Sequence, residues 1–101
     1  MNSTSKKEGK VLTVALNDRL DSATATGIEG DLYMLVDDEI RTIVLDCQGM
    51  EYIASTGLRI LLTLYKLIHA RHGEVILKNV DPSVMEIFEM TGFDEILKIE
   101  K

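Results

Sequence analysis

The segment Thr42-Ile43-Val44-Leu45-Asp46-Cys47 constrains the fold more than any other. It is short, continuous and apolar up to Asp46, which reads as a central strand with no face left for water. Such a strand needs cover, and the chain supplies it in a regular rhythm. Val11-Leu12-Thr13-Val14-Ala15-Leu16 is a second strand with apolar residues on both faces, ended by the turn signal Asn17-Asp18. Asp21 or Ser22 can then cap a helix carrying Ile28, Leu32, Leu35 and Val36 at helical spacing. The acids Asp37, Asp38 and Glu39 oppose the dipole at a helix C-terminus, so the helix is expected to stop before Asp37.

After the central strand, Gln48-Gly49-Met50 turns the chain toward a helix spanning about Ser55 to His72, with Gly73 as its stop. Val75-Ile76-Leu77 is a further strand. Asp81 then caps a helix with Pro82 at its first position and Val84, Ile87, Phe88 and Met90 along it, closed by Thr91-Gly92. Ile96, Leu97 and Ile99 mark a last short strand. Strands alternating with helices imply a largely parallel sheet built from right-handed crossovers. The fold class expected is α/β, a mixed, largely parallel sheet of four to five strands flanked by helices. Residues 1–10 are polar and read as a tail or a poor edge strand, and 11–101 as the domain proper.

Composition narrows the function. At 101 residues and 46% hydrophobic content the chain has material for one core. A formal charge of −6, with 17 acidic against 11 scattered basic residues, argues against a nucleic-acid partner. The lone Cys47 makes no internal disulfide or zinc pattern, which fits a reducing compartment. The N-terminus is polar, with nothing like a secretion signal. The most apolar stretch, Leu58 to Ala70, is broken by Arg59, Lys66 and His69 and is shorter than the ~20 residues a bilayer requires. A cytoplasmic protein without membrane insertion is expected.

The chemistry concentrates in Tyr52-Ile53-Ala54-Ser55-Thr56-Gly57-Leu58-Arg59-Ile60-Leu61-Leu62, a loop becoming a helix. Ser55 and Thr56 precede an apolar-periodic run, where a hydroxyl can cap the unpaired N–H groups of the first turn. A helix N-terminus also tolerates a phosphate, through roughly +0.5 of an elementary charge. Ser55 is therefore a cap, a switch or both. The central strand delivers Asp46 to the same end of the sheet. A hydrolase reading fails, because there is no Gly-x-Ser-x-Gly elbow and no convincing base. A nucleotide site would need a Gly-x-x-x-x-Gly-Lys loop, which is absent. His69 and His72 lack the further ligands a metal site requires, so dipole placement is the stronger reading and no metal or cofactor is expected.

Leu20-Asp21-Ser22-Ala23-Thr24-Ala25, Ile43-Val44-Leu45-Asp46, Tyr52 to Arg59 and Met90-Thr91-Gly92-Phe93-Asp94-Glu95-Ile96-Leu97 together resemble the STAS domain of bacterial anti-sigma factor antagonists, in the family's order and spacing. The resemblance implies a protein that works by binding an anti-sigma factor kinase, which phosphorylates a serine at this helix start; the unphosphorylated form sequesters the kinase and frees a sigma factor. Aligned on Gly57-Leu58, that serine is Ser55, with Thr56 the competing acceptor. Asp21, Ser22, Asp46, Ala54, Thr56, Gly57 and Arg59 are the expected surroundings and partner contacts. Asp21 and Asp46 could instead only cap a helix and end a strand. The chain departs from the family at Ala54, where many phosphorylatable members carry an acid or serine. It also lacks a clear hairpin strand in residues 2 to 8 and the C-terminal helix often found after the last strand.

Between Leu58 and Ile68 the polar residues Arg59, Thr63 and Lys66 form a narrow stripe, leaving an apolar arc wider than one face requires. Either the helix is deeply packed, or Ile60, Leu64 or Leu67 form a patch for a partner. A monomer or weak dimer is expected. The alternative function is a constitutive scaffold, as in a stressosome-like complex, or the accessory subunit of a lipid or anion transporter.

Overall fold

A computed structural model of the chain describes residues 3–16 and 25–100. Five strands form one sheet whose spatial order repeats the chain order: β1 (Ser3–Glu8), β2 (Val11–Leu16), β3 (Thr42–Asp46), β4 (Glu74–Lys78) and β5 (Lys98–Glu100). Helices α1 (Ala25–Leu35), α2 (Ser55–His69) and α3 (Pro82–Thr91) connect the parallel strands, and a 3-10 turn at Phe93–Glu95 precedes β5. The mixed, largely parallel sheet expected from the sequence is present, with β3 at its centre.

β1 is a full strand antiparallel to β2, running from Ser3 opposite Leu16 to Glu8 opposite Val11. Its sequence hides it because an edge strand need not be apolar, and charged edges resist pairing with other chains. Gly9 has φ 61° at the first position of the two-residue hairpin loop, where a type II′ turn takes its glycine.

Strand order following chain order, with the right-handed crossovers parallel strands almost always use, puts all three helices on one face of the sheet. Burial alternates accordingly. Leu12, Val14, Leu16, Ile43, Leu45, Val75 and Leu77 are buried under the helices, while Thr13, Ala15, Val44 and Ile76 on the opposite face are only half-buried. This corrects the expectation that β2 and β3 are covered on both sides: their apolar runs reflect β-branched residues at half-buried positions as well as core. Leu32, Val36 and Ile40 from α1 and its exit, Ile60, Leu61, Leu64 and Ile68 from α2, and Val84 and Phe88 from α3 complete a single core.

α3 begins as its sequence signals, with Pro82 in the first turn and the Asp81 carboxylate accepting from Ser83 N–H at 3.0 Å. The Ser83 side chain and N–H together hold the Asp81 carboxyl below the usual carboxylate range. α2 ends at His69, earlier than expected. The left-handed residue of the following turn is His72 (φ 60°), and Gly73 comes next for a different reason. A Cβ at Gly73 would lie 1.8 Å from the carbonyl oxygen of Arg41. That oxygen accepts from Glu74 N–H at 2.9 Å as β4 begins its pairing with β3. Gly73 is thus a point of close backbone approach.

At the C-terminal end of the sheet, β5 is confined to Lys98–Glu100, shorter than expected, because the 3-10 turn takes up Phe93–Glu95 and buries Leu97 at its exit. Among the described residues no helix is long and apolar enough to cross a membrane.

Candidate phosphoacceptor site at the start of helix α2

The loop from β3 to α2 is pinned at every third residue: Cys47, Met50 and Ile53 are all buried in the core. Cys47 N–H donates to Lys78 O at 2.8 Å, and Met50 N–H to Cys47 O at 2.9 Å. Between and beyond these anchors, Gln48, Gly49, Glu51 and Tyr52 are exposed, and Ser55, exposed as well, follows two residues after Ile53. Ser83 Oγ, at the start of α3, reaches Glu51 O at 3.3 Å and ties the loop to the next helix. Burial pushes the Cys47 thiol up to about 12, with the Asp46 charge adding to the effect, so it remains a protonated core residue rather than a nucleophile.

The helix start differs by one residue from the sequence expectation. Ala54 occupies the N-cap, extended at φ −97° and ψ 175°, and its carbonyl accepts from Leu58 N–H at 3.0 Å. Among the described residues no side chain caps the helix. Ser55 is therefore the first helical residue and does not act as the cap. Two adjacent hydroxyls made both registers possible in the sequence, and the buried Gly57, Ile60, Leu61, Leu64 and Ile68 choose the one that turns their stripe to the sheet.

The same rotation separates the two hydroxyls. Ser55 is exposed, whereas Thr56 Oγ1 is buried and has no hydrogen-bond partner among the described residues. A buried hydroxyl with no partner carries its desolvation penalty uncompensated. Thr56→Val is expected to raise stability by about 1 kcal/mol, read as a higher urea midpoint at unchanged m-value. A lower midpoint would mean that the hydroxyl is satisfied in solution.

Arg59, one turn on from Ser55, is exposed and bound to α1. Its Nη1 donates to Glu29 Oε2 at 3.0 Å and Nη2 to Glu29 Oε1 at 3.3 Å, a two-pronged pair. Tyr33 OH donates to the same Glu29 Oε2 at 3.0 Å. The Arg59 guanidinium first, and the Tyr33 hydroxyl second, hold the Glu29 carboxyl below the ordinary glutamate range. The i,i+4 spacing of Glu29 and Tyr33 is visible in the sequence, but only the packing of α1 on α2 brings Arg59 to them.

Asp46 is engaged elsewhere. Its Oδ1 accepts from Gln48 N–H at 3.1 Å and from Asn79 Nδ2 at 3.0 Å, joining the ends of β3 and β4. Asp21 and Ser22 lie outside the described residues. The apolar patch expected on α2 is not a patch: Ile60 and Leu64 are 0% exposed, and only Leu67, at 36%, reaches the surface. The wide apolar arc is explained by deep packing between the sheet and the neighbouring helices. His69 stacks on Tyr65 with ring centroids 5.2 Å apart, and among the described residues no group of three potential ligands could hold a metal.

With the fold and the helix start defined, comparison with known proteins assigns the class. The STAS domain model matches residues 2–101, and the chain belongs to that family. It is 35% identical over 99 residues to the provisionally named anti-sigma factor antagonist BtrV of Bordetella bronchiseptica, covering 98% of this chain and 85% of that protein. It is 32% identical over 94 residues to the anti-sigma F factor antagonist of Paenibacillus polymyxa, covering 88% of this chain and 77% of that one. The phosphorylated form of the Bacillus cell fate determinant SpoIIAA superposes with a TM-score of 0.75 at 17% identity, over 98% of this chain and 91% of that chain, a likeness of fold. The chain is thus similar to bacterial anti-sigma factor antagonists in sequence and shares their architecture.

Proposed function

We propose that the protein is an anti-sigma factor antagonist that binds an anti-sigma factor kinase and is released from it by phosphorylation of Ser55. The observation that carries this reading is the asymmetry of the adjacent hydroxyls: Ser55 is exposed on the first residue of α2, and Thr56 Oγ1 is sealed. A kinase approaching from solvent meets only the former. In the reaction, the γ-phosphoryl group of ATP passes to Ser55 Oγ, the hydroxyl proton leaves and ADP is released. The names of the two sequence relatives support the partner class, and the phosphorylated SpoIIAA structure supports the modification as one this fold accepts.

Helix α2 has no side-chain cap among the described residues, so its first N–H groups can turn toward the phosphoryl oxygens. The added −1.5 to −2 charges then sit at the favourable end of the dipole, worth roughly 0.3 to 2 kcal/mol. Modification leaves the fold intact and acts at the partner surface, by repulsion and by bulk.

The test is intact mass after incubation with the cognate kinase and ATP, for wild type, Ser55→Ala and Thr56→Ala. The expected result is a gain of one phosphate that only Ser55→Ala abolishes. No gain in any of the three, with the kinase active on another substrate, overturns the switch and leaves a constitutive scaffold.

A further inference from the structure

We propose that a phosphoryl group on Ser55 takes Arg59 away from Glu29, so that the modification breaks the ion pair between helix α1 and helix α2. The inference rests on the reading of Ser55 as the acceptor and extends it to a second element of the surface.

Ser55 and Arg59 are four residues apart on the exposed side of α2, which sets their Cβ atoms within about 6 Å and the acid on the N-terminal side, the favoured orientation for such a pair. A phosphoserine side chain is as long as a glutamate, and an arginine spans the remaining gap easily. In the unmodified protein Arg59 is already committed to Glu29 through two hydrogen bonds. The two halves of the pair differ: the Arg59 side chain is 58% exposed and the Glu29 side chain only 19%. Water and salt therefore reach the guanidinium, which is the half that has to move.

The phosphoryl group outbids Glu29 on each count that matters. It carries about −1.5 to −2 charges against −1, offers three acceptor oxygens against two, and sits on Arg59's own helix, so pairing with it requires no alignment of two helices. Released, Glu29 retains, among the described residues, the Tyr33 hydroxyl at 3.0 Å and loses its cation. The charge change written at Ser55 is thereby copied to α1, beside the exposed Tyr33 and Met34. A partner that touches both helices meets the phosphoryl group on α2 and an uncovered carboxylate on α1, while Leu32 and Val36 keep α1 seated on the core.

Phosphoserine placed at position 55 by genetic encoding tests this without a kinase. Amide and Arg Nε–H spectra would be recorded for the unmodified protein, the phosphoserine-55 protein and unmodified Arg59→Gln. On phosphorylation the Arg59 Nε–H resonance is expected to move, and the Glu29 and Tyr33 amide signals to move more than half-way to their positions in Arg59→Gln. Glu29 and Tyr33 signals that stay at the unmodified positions overturn the proposal. So does an unmoved Arg59 Nε–H, a readout that needs no variant to fold. Because the phosphate is installed during synthesis, failure here is distinct from failure of a kinase to modify Ser55, which the mass experiment reads.

Discussion

Gly73→Ala is expected to destabilise the protein by about 3 kcal/mol or more, measured by urea or thermal unfolding. The new methyl would meet the Arg41 carbonyl oxygen at 1.8 Å and Ile68 Cγ2 at 2.8 Å. The first of these is backbone, held by the hydrogen bond from Glu74 N–H that starts the β3–β4 pairing. A flexible side chain could swing aside; this atom cannot move without opening the centre of the sheet. Overpacking typically costs 1–3 kcal/mol, and a clash with fixed backbone belongs at or above the top of that range. For a domain with a total stability of roughly 5–15 kcal/mol, that loss is a large fraction. Gly30, inside α1 with nothing within 4 Å of an added Cβ, is the control: Gly30→Ala is expected to stabilise by about 1 kcal/mol, since only helix propensity changes. Equal small effects at both positions would show that the close approach at Gly73 is relaxed in solution.

Phosphorylation of Ser55 is expected to weaken binding of the anti-sigma factor kinase by about 100-fold, a change of ~2.7 kcal/mol. An uncompensated charge buried in an interface costs 2–5 kcal/mol, and a phosphoryl group brings nearly two such charges. Titration calorimetry with unmodified and phosphoserine-55 protein measures the ratio directly. Ser55→Asp, with one charge and a shorter reach, should lose about tenfold. Ser55→Ala should bind as tightly as the unmodified protein and stop responding to ATP. Equal affinity of the modified and unmodified forms would remove Ser55 from the interface and end the switch reading.

The parts of this architecture that were legible in the sequence are those whose signals are local and chemical. Asp81-Pro82 specified the start of α3 because a carboxylate cap and a residue without an N–H leave little choice. The apolar run Thr42 to Cys47 specified a central strand. β1 was legible only as one of two readings, a tail or a poor edge strand, because a polar edge strand is held by its neighbour's backbone and has no hydrophobic period of its own; the edge strand is the one present. The position of Ser55 within its helix was ambiguous by one residue, since Ser55 and Thr56 offer the same functional group, and burial of the α2 stripe decided between them. That single residue decides which hydroxyl is exposed and which is sealed. Gly73 was recognised but for another reason: a glycine after a helix reads as a terminator, whereas here it admits the carbonyl of Arg41, the residue just before β3. Likewise Ile60, Leu64 and Leu67 look alike in sequence, and only the packing tells core from surface.

The strand order of the sheet has a further consequence, for how the molecule is made. Because spatial order repeats chain order, each new strand is laid against the edge formed just before it, and no pairing joins distant ends of the polypeptide. Each parallel pairing nevertheless joins residues well apart in the chain, Val11 with Thr42, Thr42 with Glu74 and Ile76 with Lys98, so loop closure has to precede each strand contact and slows folding. As the chain emerges from the ribosome, β1 and β2 can form their hairpin at once, and each βα unit can add in the order of synthesis. Helix α2 arrives in the middle of that order of synthesis, and the glycine after it lies against the Arg41 carbonyl where β4 joins β3, so the two halves of the sheet meet at a position that admits no side chain.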